Sequence, residues 1–111
     1  MIQMSEFTDY LREVFADFGP IATRRMFGGH GIFHDGIMFA LVADDTLYLK
    51  TDTVSVSQFT ERGLEPFQYP KNGRMVTMSY YQAPDDIFDD AAQALAWGRL
   101  AFDAALRGKG K

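Results

Sequence analysis

The chain predicts an α+β fold: an antiparallel sheet of about five to six strands, a helix at each end of the chain and a short helix in the middle. Three observations carry this. Apolar residues recur at helical spacing before Gly19-Pro20 and again after Pro84. Between those limits the pattern breaks into short runs rich in β-branched, aromatic and aliphatic residues. Most runs are separated by Gly, Asp and Asn turns that are too short for a parallel crossover.

Ser5 is the expected N-cap of the first helix, because its hydroxyl can accept from the first free N–H groups. Phe7, Tyr10, Leu11, Val14, Phe15 and Phe18 follow as one apolar stripe, closed by Gly19-Pro20. Strand-like runs occupy residues 23–27, 31–33, 37–42 and 46–50, separated by Gly28-Gly29, Asp35-Gly36 and Asp44-Asp45. Asp35-Gly36 is a two-residue hairpin signal, since both residues tolerate the positive φ of a primed turn. Asp52 is placed to cap a short second helix carrying Val54 and Phe59, with Gly63 as its stop. Runs 67–69 and 75–80 flank the turn Pro70-Lys71-Asn72-Gly73.

Pro84-Asp85-Asp86 opens a final helix running to about Arg107. Asp85, Asp86, Asp89 and Asp90 suit its positive dipole end, and Arg107 and Lys109 suit the other. Its broad apolar face, from Ile87 and Phe88 through Ala94, Leu95, Gly98 and Phe102 to Leu106, must cover the sheet. Gly98, near the centre of that face, predicts a close backbone approach to the sheet or the first helix. Trp97, Leu100 and Ala104 form a second, narrower stripe. It either packs on the first helix or serves as a subunit or partner interface, where Trp is an enriched anchor.

At 111 residues the chain reads as one domain, residues 1–111, with 1–4 and 108–111 as frayed ends. It has no cysteine, which excludes disulfides, thiolate zinc sites and cysteine nucleophiles and fits a reducing compartment. No basic leader precedes an apolar run at the N-terminus, and no stretch approaches the roughly 20 apolar residues of a membrane span. A cytoplasmic location is therefore expected. A net charge of −4 disfavours direct nucleic-acid binding, which Lys and Arg neutralisation of phosphates drives.

No catalytic constellation emerges. Gly28-Gly29-His30-Gly31 lies between two strands rather than before a helix, so it reads as a tight connection and not a phosphate cradle. His30, His34 and Asp35 are too few to make a metal site, and no metal or cofactor is expected. Ser55, Ser57 and Ser79 have no recognisable base. Arg24, Arg25 and Lys50 stand at strand ends of an acidic chain, as a candidate anion- or ligand-binding patch or as solvated edge charges.

The sequence from Arg25 through Met26, Phe27, Gly28, Gly29, His30 and Gly31 to Phe33 resembles the TfoX N-terminal domain family. So do Met38 to Val42, Asp45 to Asp52 with its Leu-Tyr-Leu-Lys, Pro66 to Tyr69, Met78 to Tyr81 and Pro84. The resemblance runs from about Phe7 to Leu106. It implies a two-layer arrangement of sheet and helices shared with secretion-chaperone-like folds. It also implies kinship with cytoplasmic regulators of natural competence, which act with the cyclic-AMP receptor protein at promoters and carry a second, C-terminal domain. On this basis a non-enzymatic regulatory module with a protein partner or a homodimer is expected. A small-ligand or anion-binding domain using Arg24, Arg25 and Lys50, with an enzymatic role left open, is the alternative.

Overall fold

The structure is a computed structural model that describes residues 4–26 and 28–109. Its elements are α1 (Met4–Val14), β1 (Ala22–Met26), β2 (Gly29–His34), β3 (Ile37–Ala43), β4 (Thr46–Lys50), α2 (Val56–Thr60), β5 (Pro66–Lys71), β6 (Arg74–Gln82) and α3 (Ala91–Lys109), with a 3-10 turn at Asp85–Phe88 before α3. The strands form one antiparallel sheet in the order β1-β2-β3-β4-β6-β5. This is the predicted α+β architecture. The first four strands make a meander, and β6 then takes the place beside β4, leaving β5 at the edge.

The hairpins follow from turn chemistry. Asp35 and Gly36 have φ of 50° and 77°, and Asn72 and Gly73 have 55° and 77°. Positive φ at both central residues matches the right-handed twist of the flanking strands. Asp44 and Asp45, at 50° and 58°, adopt the same geometry without a glycine. In the β1–β2 connection Gly28 has φ of 74°, and a Cβ on Gly29 would lie 2.0 Å from the Val42 carbonyl oxygen. The glycine cluster therefore lets β1 turn and lets β3 approach. Phe27, expected within this element, lies outside the described residues.

One face of the sheet carries the helices. A bulge opposite Ile32 and Phe33 leaves Phe39 without a cross-strand partner. Phe39 is fully buried and packs on Phe15 and Phe18, with ring centroids 5.6 and 5.0 Å away. Leu11, Ile32, Leu49, Ala94 and Ala101 complete the centre of this core. A Cβ on Gly98 would stand 3.3 Å from the rings of Phe15 and Phe18, which is the close approach predicted there.

Residues 1–3 and 110–111, at the ends expected to fray, lie outside the described residues, and Met4 and residues 108–109 are helical. Two local readings change. Ser5 is the second residue of α1 and not its cap. The last helix begins later than expected. Asp90 Oδ1 accepts from the backbone N–H groups of Ala92 at 2.9 Å and Gln93 at 3.3 Å, so it caps α3 and separates it from the 3-10 turn. A short carboxylate competing for backbone N–H groups ends one helical segment and starts another.

The α3 face is also rotated from its expected position. Trp97 is 8% exposed and meets Phe59 of α2 edge-on, with centroids 5.0 Å apart. Ala104 is fully buried and Leu100 packs against the core. The stripe proposed as an interface is thus covered within the chain, where α2 supplies Phe59. Leu95 and Leu106, assigned to the sheet-facing side, are 37% and 42% exposed.

Candidate functional site

The opposite face of the sheet has no helix over it among the described residues, yet it is apolar. Leu41, Phe67 and Tyr80 are buried there, with Met38, Ala43, Tyr48, Tyr69 and Met78 packed around them. Strand alternation puts these side chains on one face, and the rings bury one another. Phe67 meets Tyr48 at 5.1 Å and 62°, and stacks with Tyr69 at 6.0 Å and 21°. Burial pushes the Tyr80 hydroxyl up to about 12. Burial, then the nearby charges of Asp44 and Glu65, raises Tyr48 as well.

Lys50 closes one end of this face. Its ammonium lies 5.1 Å from the Tyr80 ring centroid and donates to Ser79 Oγ at 2.6 Å. An ammonium over a ring face is a charge–quadrupole contact. Ser55 Oγ accepts from the Asp52 backbone N–H, and Asp52 Oδ1 accepts from Val54 and Ser55, which is a helix-start arrangement. His34 Nδ1 donates to the Pro20 carbonyl at 2.7 Å. His30 Nδ1 is buried without a partner among the described residues, which also contain no metal-binding group of three or more His, Cys, Asp or Glu.

Residues 13–105 match the model of the TfoX N-terminal domain. The chain belongs to the TfoX N-terminal domain family. It is 30% identical over 98 residues to Protein Sxy of Escherichia coli (strain K12), covering 88% of this chain and 47% of that protein. It is 31% identical over 84 residues to DNA transformation protein TfoX1 of Aliivibrio fischeri (strain ATCC 700601 / ES114), covering 76% and 40%. With DNA transformation protein TfoX of Haemophilus influenzae (strain ATCC 51907 / DSM 11121 / KW20 / Rd) the identity is 37% over 71 residues, covering 62% and 33%. The chain thus spans less than half the length of these relatives.

Within this TfoX N-terminal domain, Arg24, Arg25 and Lys50 do not converge. Arg24 lies on β1 with its guanidinium carbon 5.7 Å from the Phe33 ring centroid, and Arg25 is its exposed neighbour pointing to the other side of the strand. Lys50 is on β4, three strand spacings or about 14 Å away. Lys50 instead shares a cleft of about 580 Å³ with Arg107, whose charge is held by Asp52. A second cleft of about 530 Å³, lined by Phe7, Tyr10, Asp45, Asp85 and Phe88 among others, contains acids and no cation. Sequence reasoning passed over Lys71, which read as a turn residue, and Arg74, which it assigned to no element. Strand register makes them a cross-strand pair at the tip of the β5–β6 hairpin.

Proposed function

We propose that this TfoX N-terminal domain is a non-enzymatic regulatory module that works through protein partners in transcriptional control. The process served is the one for which its relatives are named, DNA transformation. The observation that carries the reading is the helix-free sheet face, whose Met38, Tyr48, Tyr69 and Met78 are only half-buried and pack on a buried floor of Leu41, Phe67 and Tyr80. A contiguous apolar sheet face of this kind suits association. Family membership supports the regulatory part of the reading. On the same reading the chain acts in the cytoplasm, and a homodimer is its self-associated form. No helix among the described residues is long and apolar enough to cross a membrane.

The test uses the immobilised chain as bait in native extract from its source, beside a Met38→Glu, Met78→Glu variant that charges the face. The reading expects a protein retained by the wild type and lost with the variant. Identical retention by both baits overturns it.

A further inference from the structure

The strands of this domain carry cations and no acid. Arg24, Arg25, Lys50, Lys71 and Arg74 lie in the strands, whereas all 15 acids lie in helices, turns and connections. Three cations outside the sheet have ion-pair partners: Arg12 with Asp9 at 3.7 Å, Arg62 with Asp86 at 2.9 Å, Arg107 with Asp52 at 2.6 Å. None of the strand cations has an ion pair among the described residues. The net charge of −4 is therefore an average that hides a positive sheet.

Three of these cations belong to one track. Residues 66–84 contain no Asp or Glu. At the hairpin tip Lys71 stands directly opposite Arg74, a like-charged pairing that is unfavourable without a counter-anion. At the base Lys50 pairs with Tyr80 across β4 and β6. The seven residues from Arg74 to Tyr80 span about 20 Å, and alternation puts Arg74, Met78 and Tyr80 on one face with Tyr69 and Lys71. Beyond Ser79 towards the tip, β6 pairs only with β5, so the hairpin stands out from the sheet. Tyr69 is half-buried on this face and stacks with Phe67.

We propose that this hairpin face binds single-stranded nucleic acid, with Lys50, Lys71 and Arg74 on phosphates and Tyr69 as a stacking surface for a base. Phosphates supply the anions that the like-charged tip lacks, and an aromatic ring beside a cationic track is how unpaired strands are held without sequence preference. A duplex fits worse, because its bases are already stacked on each other. The inference goes beyond the protein-partner reading, and the two fail independently.

The experiment is fluorescence anisotropy of labelled oligo-dT and oligo-U of about twelve nucleotides, titrated with the full chain across a salt series. Saturable binding is expected, with log K falling against log salt at a slope of about −2 for three phosphate contacts. Lys71→Glu with Arg74→Glu weakens binding at least tenfold, whereas Arg99→Glu on α3 leaves it unchanged. Tyr69→Leu weakens it about fivefold or more at unaltered salt slope, which separates stacking from charge. Circular dichroism confirms that each variant is folded. No anisotropy change with the wild type at low salt overturns the inference. So does undiminished binding by the charge-reversed hairpin or by Tyr69→Leu, or a duplex of equal length bound as tightly.

Discussion

Arg107, in the last turns of α3, grips both carboxylate oxygens of Asp52. Its Nε lies 2.6 Å from Oδ2 and its Nη2 lies 3.0 Å from Oδ1. Asp52 meanwhile accepts from the backbone N–H groups of Val54 and Ser55, both at 3.1 Å. One side chain thus starts the turn into α2 and ties it to the helix that crosses the sheet.

That arrangement predicts an acid-sensitive contribution to stability. The hydrogen bond from Arg107 is the largest cause holding the Asp52 carboxyl down, from 3.8 to about 2. A carboxylate with a depressed folded value stabilises fully above its unfolded value and loses that contribution as pH falls through the folded one. Urea denaturation between pH 5 and pH 2, in steps of about half a unit, is expected to show a loss between about pH 4 and about pH 2 that Asp52→Asn lacks. At neutral pH, Asp52→Ala costs about 1 kcal/mol, chiefly through the lost backbone acceptor. Equal acid profiles for wild type and Asp52→Asn would contradict this.

Asp90 makes a simpler prediction. Because it caps α3 through Ala92 and Gln93, Asp90→Ala is expected to lower stability by about 1 kcal/mol, and Asp90→Ser to restore most of it. Thermal melts of the pair decide the point. An unchanged Asp90→Ala would mean that the cap contributes nothing.

Gly29 and Gly36 separate close approach from backbone strain. A Cβ on Gly29 meets the Val42 carbonyl, whereas one on Gly36 meets nothing within 4 Å, and Gly36 has φ of +77°. Gly36→Ala is expected to cost about 1–2 kcal/mol for the left-handed conformation. Gly29→Ala is expected to cost at least about 3 kcal/mol, because two backbones must part. The reverse order in denaturant midpoints would refute the assignment.

Trp97 distinguishes a core residue from a docking residue. Its ring meets Phe59 edge-on and Arg62 lies 5.5 Å from its centroid, so Trp97→Ala is expected to cost about 3–5 kcal/mol in urea unfolding. Native tryptophan emission is expected to be blue-shifted and to move red on unfolding. A variant of wild-type stability with an altered sedimentation coefficient would return Trp97 to an interface.

Much of the architecture was legible because its causes are local. Asp35-Gly36 and Asn72-Gly73 carry their positive φ in their own chemistry, and the alternation around them dictates strands. Gly63 stops α2 with φ of +74°, its N–H donating to Thr60. The start of α3 was less legible, because Asp85, Asp86, Asp89 and Asp90 are all competent caps and only packing selects Asp90. The partner of Trp97 was hidden for a different reason. A helical wheel shows that a stripe must be covered and is silent on whether α1, α2 or another molecule covers it.

For the candidate site the division is sharper. Sequence alone determined the family, the strands, the turns and the absence of acids from residues 66–84, since these depend on residue identity and short-range spacing. Only the tertiary structure decided that β6 lies beside β4, bringing Tyr80 to Lys50, and that Arg24 remains about 14 Å away across intervening strands. The physical reason is that strand order is a long-range choice. It is made where one helix-covered core closes and the other face buries its own rings, and no single segment contains that information.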